Sequence, residues 1–432
     1  MVNLSEQKSK WEFLDNAYNE TGGFANGGYL QKYTRETSDK FAMRQSVAYY
    51  INYNKPIIDR FSGYLFKKKP KRLSENEIIN QILDDVDLNG NNLDIFIQNI
   101  FKTAFLYGTA FILVDMPKDL GDSLADQKQK RAFPYFKELN PLSLYDFYIK
   151  NGVLEWIIFE FNIETKEPFA KAVSEKRYYF WSKDEFQIRN SSGDILEASQ
   201  HNLGFVPVVA LQFGSELLGD TLSYEVAQIA KRIYNARSEL DEILRGQTFS
   251  ILAYHVPQGE NTPSELKVST DNALLYSGNK PEFISPSQDS ASTYFTHIEN
   301  LENIIDEISL NPVNLSTKSD DSGVALKYKF ENLNGYLNFL SNSLEDLERK
   351  LFDLVFKYLN SEYNYSVSYP NDFQISDLTS DIANAHALKE FGMPEAWSRA
   401  KRKELARADL NGLDDTEMGE IYQEIDEYKE ID

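Results

Sequence analysis

Apolar side chains recur along much of this chain in steps of three and four, the period that puts them on one face of an α-helix. Over the first 66 residues Phe41, Val47, Tyr50, Ile51, Ile57, Ile58 and Phe61 follow that spacing, and the run Lys67-Lys68-Lys69-Pro70-Lys71-Arg72 stops it. Residues 92–107 read as an amphipathic helix carrying Ile95, Ile97, Ile100, Phe101 and Phe105. Gly108 is placed to end that helix, and residues 110–115 read as a buried strand. From about residue 134 to 213 the period shortens to two. Residues 153–161, 177–181 and 185–189 are short β-rich runs, with Asn151-Gly152 and Ser192-Gly193-Asp194 as turns between them. An antiparallel meander is expected, with residues 203–211 closing it.

The helical period then returns and lengthens. Leu222, Val226, Ile229, Ile233, Ala236, Leu240 and Ile243 form a four-three seam with charged residues on the other faces, and Gly246 is expected to end it. Pro257, Gly259, Pro263, Gly278, Pro281 and Pro286 punctuate residues 250–289, a small turn-rich insert. Tyr294, Ile298, Leu301, Ile305 and Ile308 resume the stepping until Asn311-Pro312 breaks it. A polar loop follows, and then Leu326, Phe330, Leu333, Leu337, Leu340, Leu344, Leu347, Leu351, Leu354 and Tyr358 hold the same period. At about 1.5 Å per residue this run spans roughly 48 Å. A helix of that length needs neighbours along it or partner copies, and Gly335 is a candidate bend. After a β-like stretch at 365–369, residues 376–408 look helical, divided at Gly392 and Pro394. The tail from Asp409 is acidic, with Lys429 as its only base. The class implied is α+β.

Composition narrows the chemistry. The chain has 432 residues, 42% of them hydrophobic and 13% aromatic, enough for a core in two or three domains. It has no cysteine and four scattered histidines, which removes thiol chemistry and makes a metal cage unexpected. Sixty-seven acidic residues stand against 45 basic ones, a net charge of -22, which argues against a protein whose main task is to grip nucleic acid. It leaves open a surface that DNA passes without being held. The start lacks the apolar core of a signal peptide and no run approaches 18 apolar residues, so a soluble protein used inside a cell, with no membrane partner, is expected.

Enzyme motifs are weak or missing. No flanking motif singles out a carboxylate pair for glycoside hydrolysis. Glu265-Leu266-Lys267 matches a nuclease Glu-x-Lys over three residues only. A phosphate-binding Gly-x-x-x-x-Gly-Lys-Ser/Thr loop, a Gly-x-Ser-x-Gly elbow and a His-Glu-x-x-His helix are all absent from the sequence. Neither catalysis nor a cofactor is expected. The basic run at 67–72 reads either as a nucleic-acid patch or, the simpler reading, as a solvated turn.

The order of parts then becomes specific. A mixed α/β body precedes a heptad helix, a β-rich insert, a second heptad helix and a polar loop. Ser322-Gly323-Val324-Ala325-Leu326-Lys327 opens the longest helix, and a helical acidic end follows. With Ser238, residues 202–209 and residues 33–70, this collinear order resembles the portal proteins of tailed bacteriophages. The resemblance implies a ring-shaped homo-oligomer, usually of twelve copies, at one capsid vertex. It implies a wing at 1–215 and 326–370, stem helices at 216–249 and 290–310, and a clip at 250–289. A tunnel loop at 311–325 and a crown at 371–432 complete the set. Asn314, Ser316, Thr317, Lys318, Ser319, Asp320 and Asp321 would meet DNA in the tunnel loop, where the two aspartates offset the lysine. Leu222, Val226, Ile229, Ile233, Leu240, Ile298, Leu301 and Ile305 would pack the stem of the oligomer. The partners implied are the terminase large subunit, a head–tail adaptor, the major capsid protein and duplex DNA in transit. The implied location is the virion, reached through the host cytoplasm. Two rivals stand beside it: a coiled-coil scaffold without a channel and an acidic hydrolase.

Overall fold

A computed structural model describes residues 3–118, 124–201, 203–214, 217–248, 251–253, 282–284, 288–311, 323–371, 373, 378–410, 413 and 415–428. These fall into two compact units, Met1–Asn371 and Asp372–Asp432.

The first unit begins with helices α1 (Leu4–Asn19), α2 (Gly22–Ala25), α3 (Ser38–Val47) and α4 (Asn54–Leu65). The early apolar period is therefore two helices rather than one, since Tyr50 and Ile51 lie in the extended link between α3 and α4. Strand β1 (Lys71–Leu73) and helix α5 (Glu77–Asp84) come next. Helix α6 (Leu93–Tyr107) starts where the Asn92 side chain accepts from the Ile95 N–H at 3.0 Å, and stops at Gly108 with φ +84°. It feeds directly into β2 (Thr109–Asp115), buried along nearly its whole length. After α7 (Leu124–Lys130) and β3 (Tyr135–Leu139), strands β4 (Leu144–Lys150), β5 (Val153–Thr165), β6 (Val173–Ser182), β7 (Glu185–Asn190) and β8 (Ile195–Gln200) form an antiparallel meander in sequence order. Asn151 and Gly152 both take positive φ between β4 and β5, the two-residue turn their sequence announces.

Strand β9 (Val208–Gln212) does not close that meander. It pairs antiparallel with β2, Ile112 opposite Val209, in a separate sheet ordered β3-β2-β9. The reason is burial. A strand as apolar as β2 needs a ladder on both edges, and β9 brings Val208 and Leu211 to cover it, whereas the exposed β8 offers a polar edge.

Two long helices, α8 (Leu222–Thr248) and α9 (Gln288–Ile308), bracket the short antiparallel pair β10 (Ile251–Ala253) and β11 (Glu282–Ile284). Helix α8 runs through Gly246 rather than ending there. The remaining residues of the insert, 254–281, lie outside the described ones, as does the loop at 312–322. Helix α10 (Gly323–Tyr358) is continuous through Gly335 and packs on α4 and β9 with Leu337, Leu340, Leu344, Leu347 and Leu351 buried.

Strand β12 (Ser366–Ser368) returns to pair with β1, and here the basic run is more than a turn. Lys67, Lys68 and Lys69 are exposed, but Arg72 points inward. Its Nε donates to Glu348 Oε1 at 2.7 Å and its Nη2 to Glu348 Oε2 at 3.0 Å. Glu348 has no exposed side-chain surface, and it also accepts from the Tyr365 hydroxyl and, at 2.7 Å, from the Tyr369 hydroxyl. Burial works against the Arg72 charge, but the hydrogen bonds and charge of Glu348 outweigh it and hold the guanidinium above its ordinary pKa.

The second unit consists of α11 (Leu378–Glu390), α12 (Glu395–Asp409) and α13 (Asp415–Glu427). Gly392, at φ +88°, and Pro394 separate the first two as expected. Lys403 reaches Asp426 at 2.6 Å, tying α12 to α13.

Candidate functional site

The α8–α9 hairpin is the element from which a site can be built, because its position is tightly specified. Gly108 and Gly219 meet backbone to backbone at its root: a Cβ on Gly108 would lie 2.1 Å from the Gly219 carbonyl oxygen. Ser223 Oγ then donates to the Phe105 carbonyl at 2.8 Å, fastening the start of α8 to the end of α6.

Successive residues of a helix project about 100° apart, so sequence neighbours can face different partners. On α8, Arg237 Nη2 donates to Glu302 Oε1 of α9 at 3.0 Å, and the Tyr294 hydroxyl of α9 donates to Glu239 Oε2 at 2.6 Å. Ser238, between them, faces the other way and accepts from Arg44 Nη1 of α3 at 3.2 Å. One turn on, Glu242 lies 3.5 Å from Lys40 of α3. Helix α8 thus meets α9 through Arg237 and Glu239 and α3 through Ser238 and Glu242, and it also packs on α1 and α6.

The α3 contact is locked by a buried arginine and the α9 contact by half-buried polar groups. Arg44 is 1% exposed; its Nε and Nη2 each donate to Glu36 at 3.0 Å, and its guanidinium lies over the Tyr33 ring at 4.8 Å. These hydrogen bonds hold the Glu36 carboxyl below the usual carboxylate range. On the α9 side the Tyr53 hydroxyl donates to Glu302 at 2.7 Å, and burial followed by that bond raises its pKa. The bond to Glu239 and burial push Tyr294 up to about 12. Arg60 Nη2 caps the end of α9 at the Ser309 carbonyl, 2.8 Å away.

The structure places the expected stem residues inside one chain. Val226, Ile233, Leu240, Ile298, Leu301 and Ile305 are buried, and Leu222 and Ile229 are half-buried. Their seam closes the hairpin on its own core, leaving Leu244, Phe295 and Ile304 as the exposed apolar side chains of the two helices. Asn314, Ser316, Thr317, Lys318, Ser319, Asp320 and Asp321 lie outside the described residues.

Besides Phe295 and Ile304, α9 exposes the acidic and polar residues Glu299, Asn300, Asn303 and Glu307. Its 21 residues include Asp289, Glu299, Glu302, Asp306 and Glu307 and neither lysine nor arginine, whereas α8 carries four bases and four acids. The periodicity that located the helix did not reveal this asymmetry, although counting charges per helix finds it. The polar anchors Arg44, Glu36, Tyr53 and Glu302 also escaped the sequence reading, because none belongs to a motif.

Among the described residues no group of three or more His, Asp or Glu is placed to hold a metal ion. Two open grooves lie among the described residues, one of about 560 Å³ beside Phe205, Phe356 and Lys357 and one of about 290 Å³ beside Arg402, Ile421 and Tyr428. No described helix is long and apolar enough to cross a membrane.

The sequence model described as phage portal protein, SPP1 Gp6-like, matches residues 6–430. No curated protein matches the chain. Among solved structures, the virion of a native gene transfer agent particle aligns over 78% of this chain and 86% of its own, at 10% identity and a TM-score of 0.43. The neck of an empty gene transfer agent particle, computed with C6 symmetry, aligns over 78% and 85%, at 11% identity and 0.42.

Proposed function

The chain belongs to the SPP1 Gp6-like family of phage portal proteins, and from that membership we propose that it forms a ring of identical copies, twelve by family resemblance, through which duplex DNA enters and leaves a capsid. The ring sits at one vertex of the virion, against the major capsid protein, after assembly in the host cytoplasm. Residues 1–215 and 326–370 make the wing, 216–249 and 290–310 the stem, 250–289 the clip, 311–325 the tunnel loop and 371–432 the crown. The clip meets the terminase large subunit during packaging and the head–tail adaptor afterwards. ATP hydrolysis belongs to the partner motor.

The observation that carries the conduit reading is the exposed face of α9. Lysine or arginine rings along a bore would neutralise phosphates, release counterions and trap the DNA. Glu299 and Glu307, with Asn300 and Asn303 between them, repel phosphate at short range and let the duplex slide. The tunnel loop follows the same rule, Lys318 being offset by Asp320 and Asp321. Contact between copies falls to Leu244, Phe295 and Ile304, since the seam itself is covered within each chain.

Negative-stain images and native mass of the purified chain test the ring; strictly single-copy material under every assembly condition overturns it. Glu299→Lys/Glu307→Lys and Asp320→Lys/Asp321→Lys rings should assemble yet slow DNA packaging in vitro. Packaging at the unaltered rate by both variants overturns the sliding-surface reading.

A further inference from the structure

One hairpin of the β4–β8 meander overshoots the sheet it belongs to. Strand β4 pairs with β5 as far as Phe159, and β7 pairs with β6 from Arg177 onward. Beyond those points β5 and β6 pair only with each other, from Asn162 opposite Lys176 to Thr165 opposite Val173. The arm so formed ends in the turn Glu167-Pro168-Phe169-Ala170, closed by the Ala170 N–H donating to the Glu167 carbonyl at 3.1 Å. Phe169 has φ +65°, and its side chain is wholly exposed. A turn with proline second and a positive φ third is normally completed by glycine, because a side chain in that conformation crowds the backbone. Here the strained position holds a large apolar ring in water at the tip of an arm. Strain and exposure at one residue mark a side chain whose partner lies outside its own chain.

The opposite end of the same sheet carries a groove that fits it. There the β6–β7 turn is clipped to the chain leaving β8: the His201 N–H donates to the Asp184 carbonyl at 2.9 Å and the Gly204 N–H to the Lys183 carbonyl at 3.0 Å. Leu203 and Phe205, held in this way, join Phe356 of α10 to line the groove of about 560 Å³. Lys357 and Glu362 stand on its rim. The ten residues of β6 separate this end from the arm by about 30 Å, so the tip cannot reach the groove of its own chain. The charges also match. Lys357 is engaged by Asp353 at 2.6 Å, which leaves Glu362 to set the sign of the rim, and exposed Lys166 and Lys171 lie on either side of Phe169.

We propose that the β5–β6 arm of one copy docks on the next copy, with Phe169 seated in the groove of Leu203, Phe205 and Phe356. The inference rests on the ring of identical copies and names one contact within it. A plug at one end of a sheet and a socket at the other make a head-to-tail contact, in which each copy uses two different surfaces. Such contacts close into a ring when the rotation between copies allows it, whereas a contact of one patch with itself stops at a pair. The meander is then a connector of fixed length between neighbours, separate from Leu244, Phe295 and Ile304 on the two long helices.

Two measurements on the full-length chain test the contact. Phe169→Gly suits the turn, so its urea midpoint should equal or exceed that of wild type, yet the concentration needed for half-assembly should rise at least about tenfold. The natural sequence has no cysteine, so Phe169→Cys/Leu203→Cys places two thiols per chain and no others. A short bis-maleimide should join them between copies and give a ladder of covalent multimers on a denaturing gel. Phe169→Cys/Ile421→Cys, which addresses the smaller groove, should give no ladder. Assembly of Phe169→Gly at wild-type concentrations, no ladder from the Leu203 pair, or a ladder from the Ile421 pair instead overturns the proposal. Images of the same preparations keep the two readings apart. Wild-type rings with no ladder would sink the plug and leave the conduit, and a ladder without closed rings would sink the conduit and leave the plug.

Discussion

Arg44 and Arg72 are both arginines drawn out of water to a carboxylate, and the two clusters behave differently. Arg44 meets a partner eight residues away, Glu36, and also donates through Nη1 to Ser238, 194 residues distant. Arg72 meets a partner 276 residues away, Glu348, and that carboxylate collects two tyrosine hydroxyls as well. In the first cluster the ion pair is local and its product is a positioned surface for α8. In the second the ion pair is itself the long-range link, joining β1, α10 and the residues around β12. Removing one member should accordingly release different amounts of structure, because a charge left alone in a closed site cannot recover its hydration.

The largest effect expected is from Glu348→Gln, which strands Arg72 with Asp94 as its remaining acidic partner. Urea unfolding should report a loss of about 3–5 kcal/mol, and the double change Arg72→Met/Glu348→Gln, which keeps an acceptor for the Tyr365 and Tyr369 hydroxyls, should cost less than the two single changes summed. A double change as damaging as the sum of the singles would show that the cluster is not a coupled pair. Next comes Glu36→Gln, at about 2–3 kcal/mol near neutral pH. Because Arg44 lowers the Glu36 pKa, this stabilisation is present above the unfolded value of about 4.3 and is lost as pH falls through the folded one. Wild type and variant should therefore converge in acid; a constant gap down to low pH counts against the assignment.

Tyr369→Phe should cost about 1.5–3 kcal/mol through one hydrogen bond to a charged acceptor. Burial and then the Glu348 charge raise the Tyr369 pKa, so its contribution is complete below about 10 and disappears as pH rises through the folded value. The two clusters are expected to show their clearest losses at opposite ends of the pH scale. Smallest is Ser238→Ala, about 1 kcal/mol, since Arg44 keeps Glu36 and the Gln31 carbonyl. Its signature is hydrogen exchange, faster at the middle of α8 and unchanged in α10; equal acceleration in both helices would refute the local role.

The contrast also explains what could be read in advance. Helix α6, its Gly108 stop, the four-three seams of α8, α9 and α10, the Asn151-Gly152 turn and the break at Gly392 and Pro394 are all local, each determined by residues within one or two turns. Glu348 was visible only as an anomaly, an acid beside Leu344, Leu347 and Leu351 on a buried face. Arg72 was hidden among lysines whose side chains go the other way. The acidic bias of α9 was present in the letters but needed the helix bounds before it could be counted.

Sequence alone determined which stretches are helical or extended, where several of them stop, the overall negative charge and the collinear order that leads to the portal family. Periodicity encodes which side of an element is to be covered, and local backbone chemistry encodes where it ends. Tertiary structure decided what does the covering: β9 beside β2 instead of β8, the heptad seam closed within one chain, Arg72 beneath the β1–β12 pair and its lysine neighbours outside. Those choices rest on pairings across hundreds of residues, where many apolar or charged partners are chemically equivalent and only the assembled packing distinguishes them.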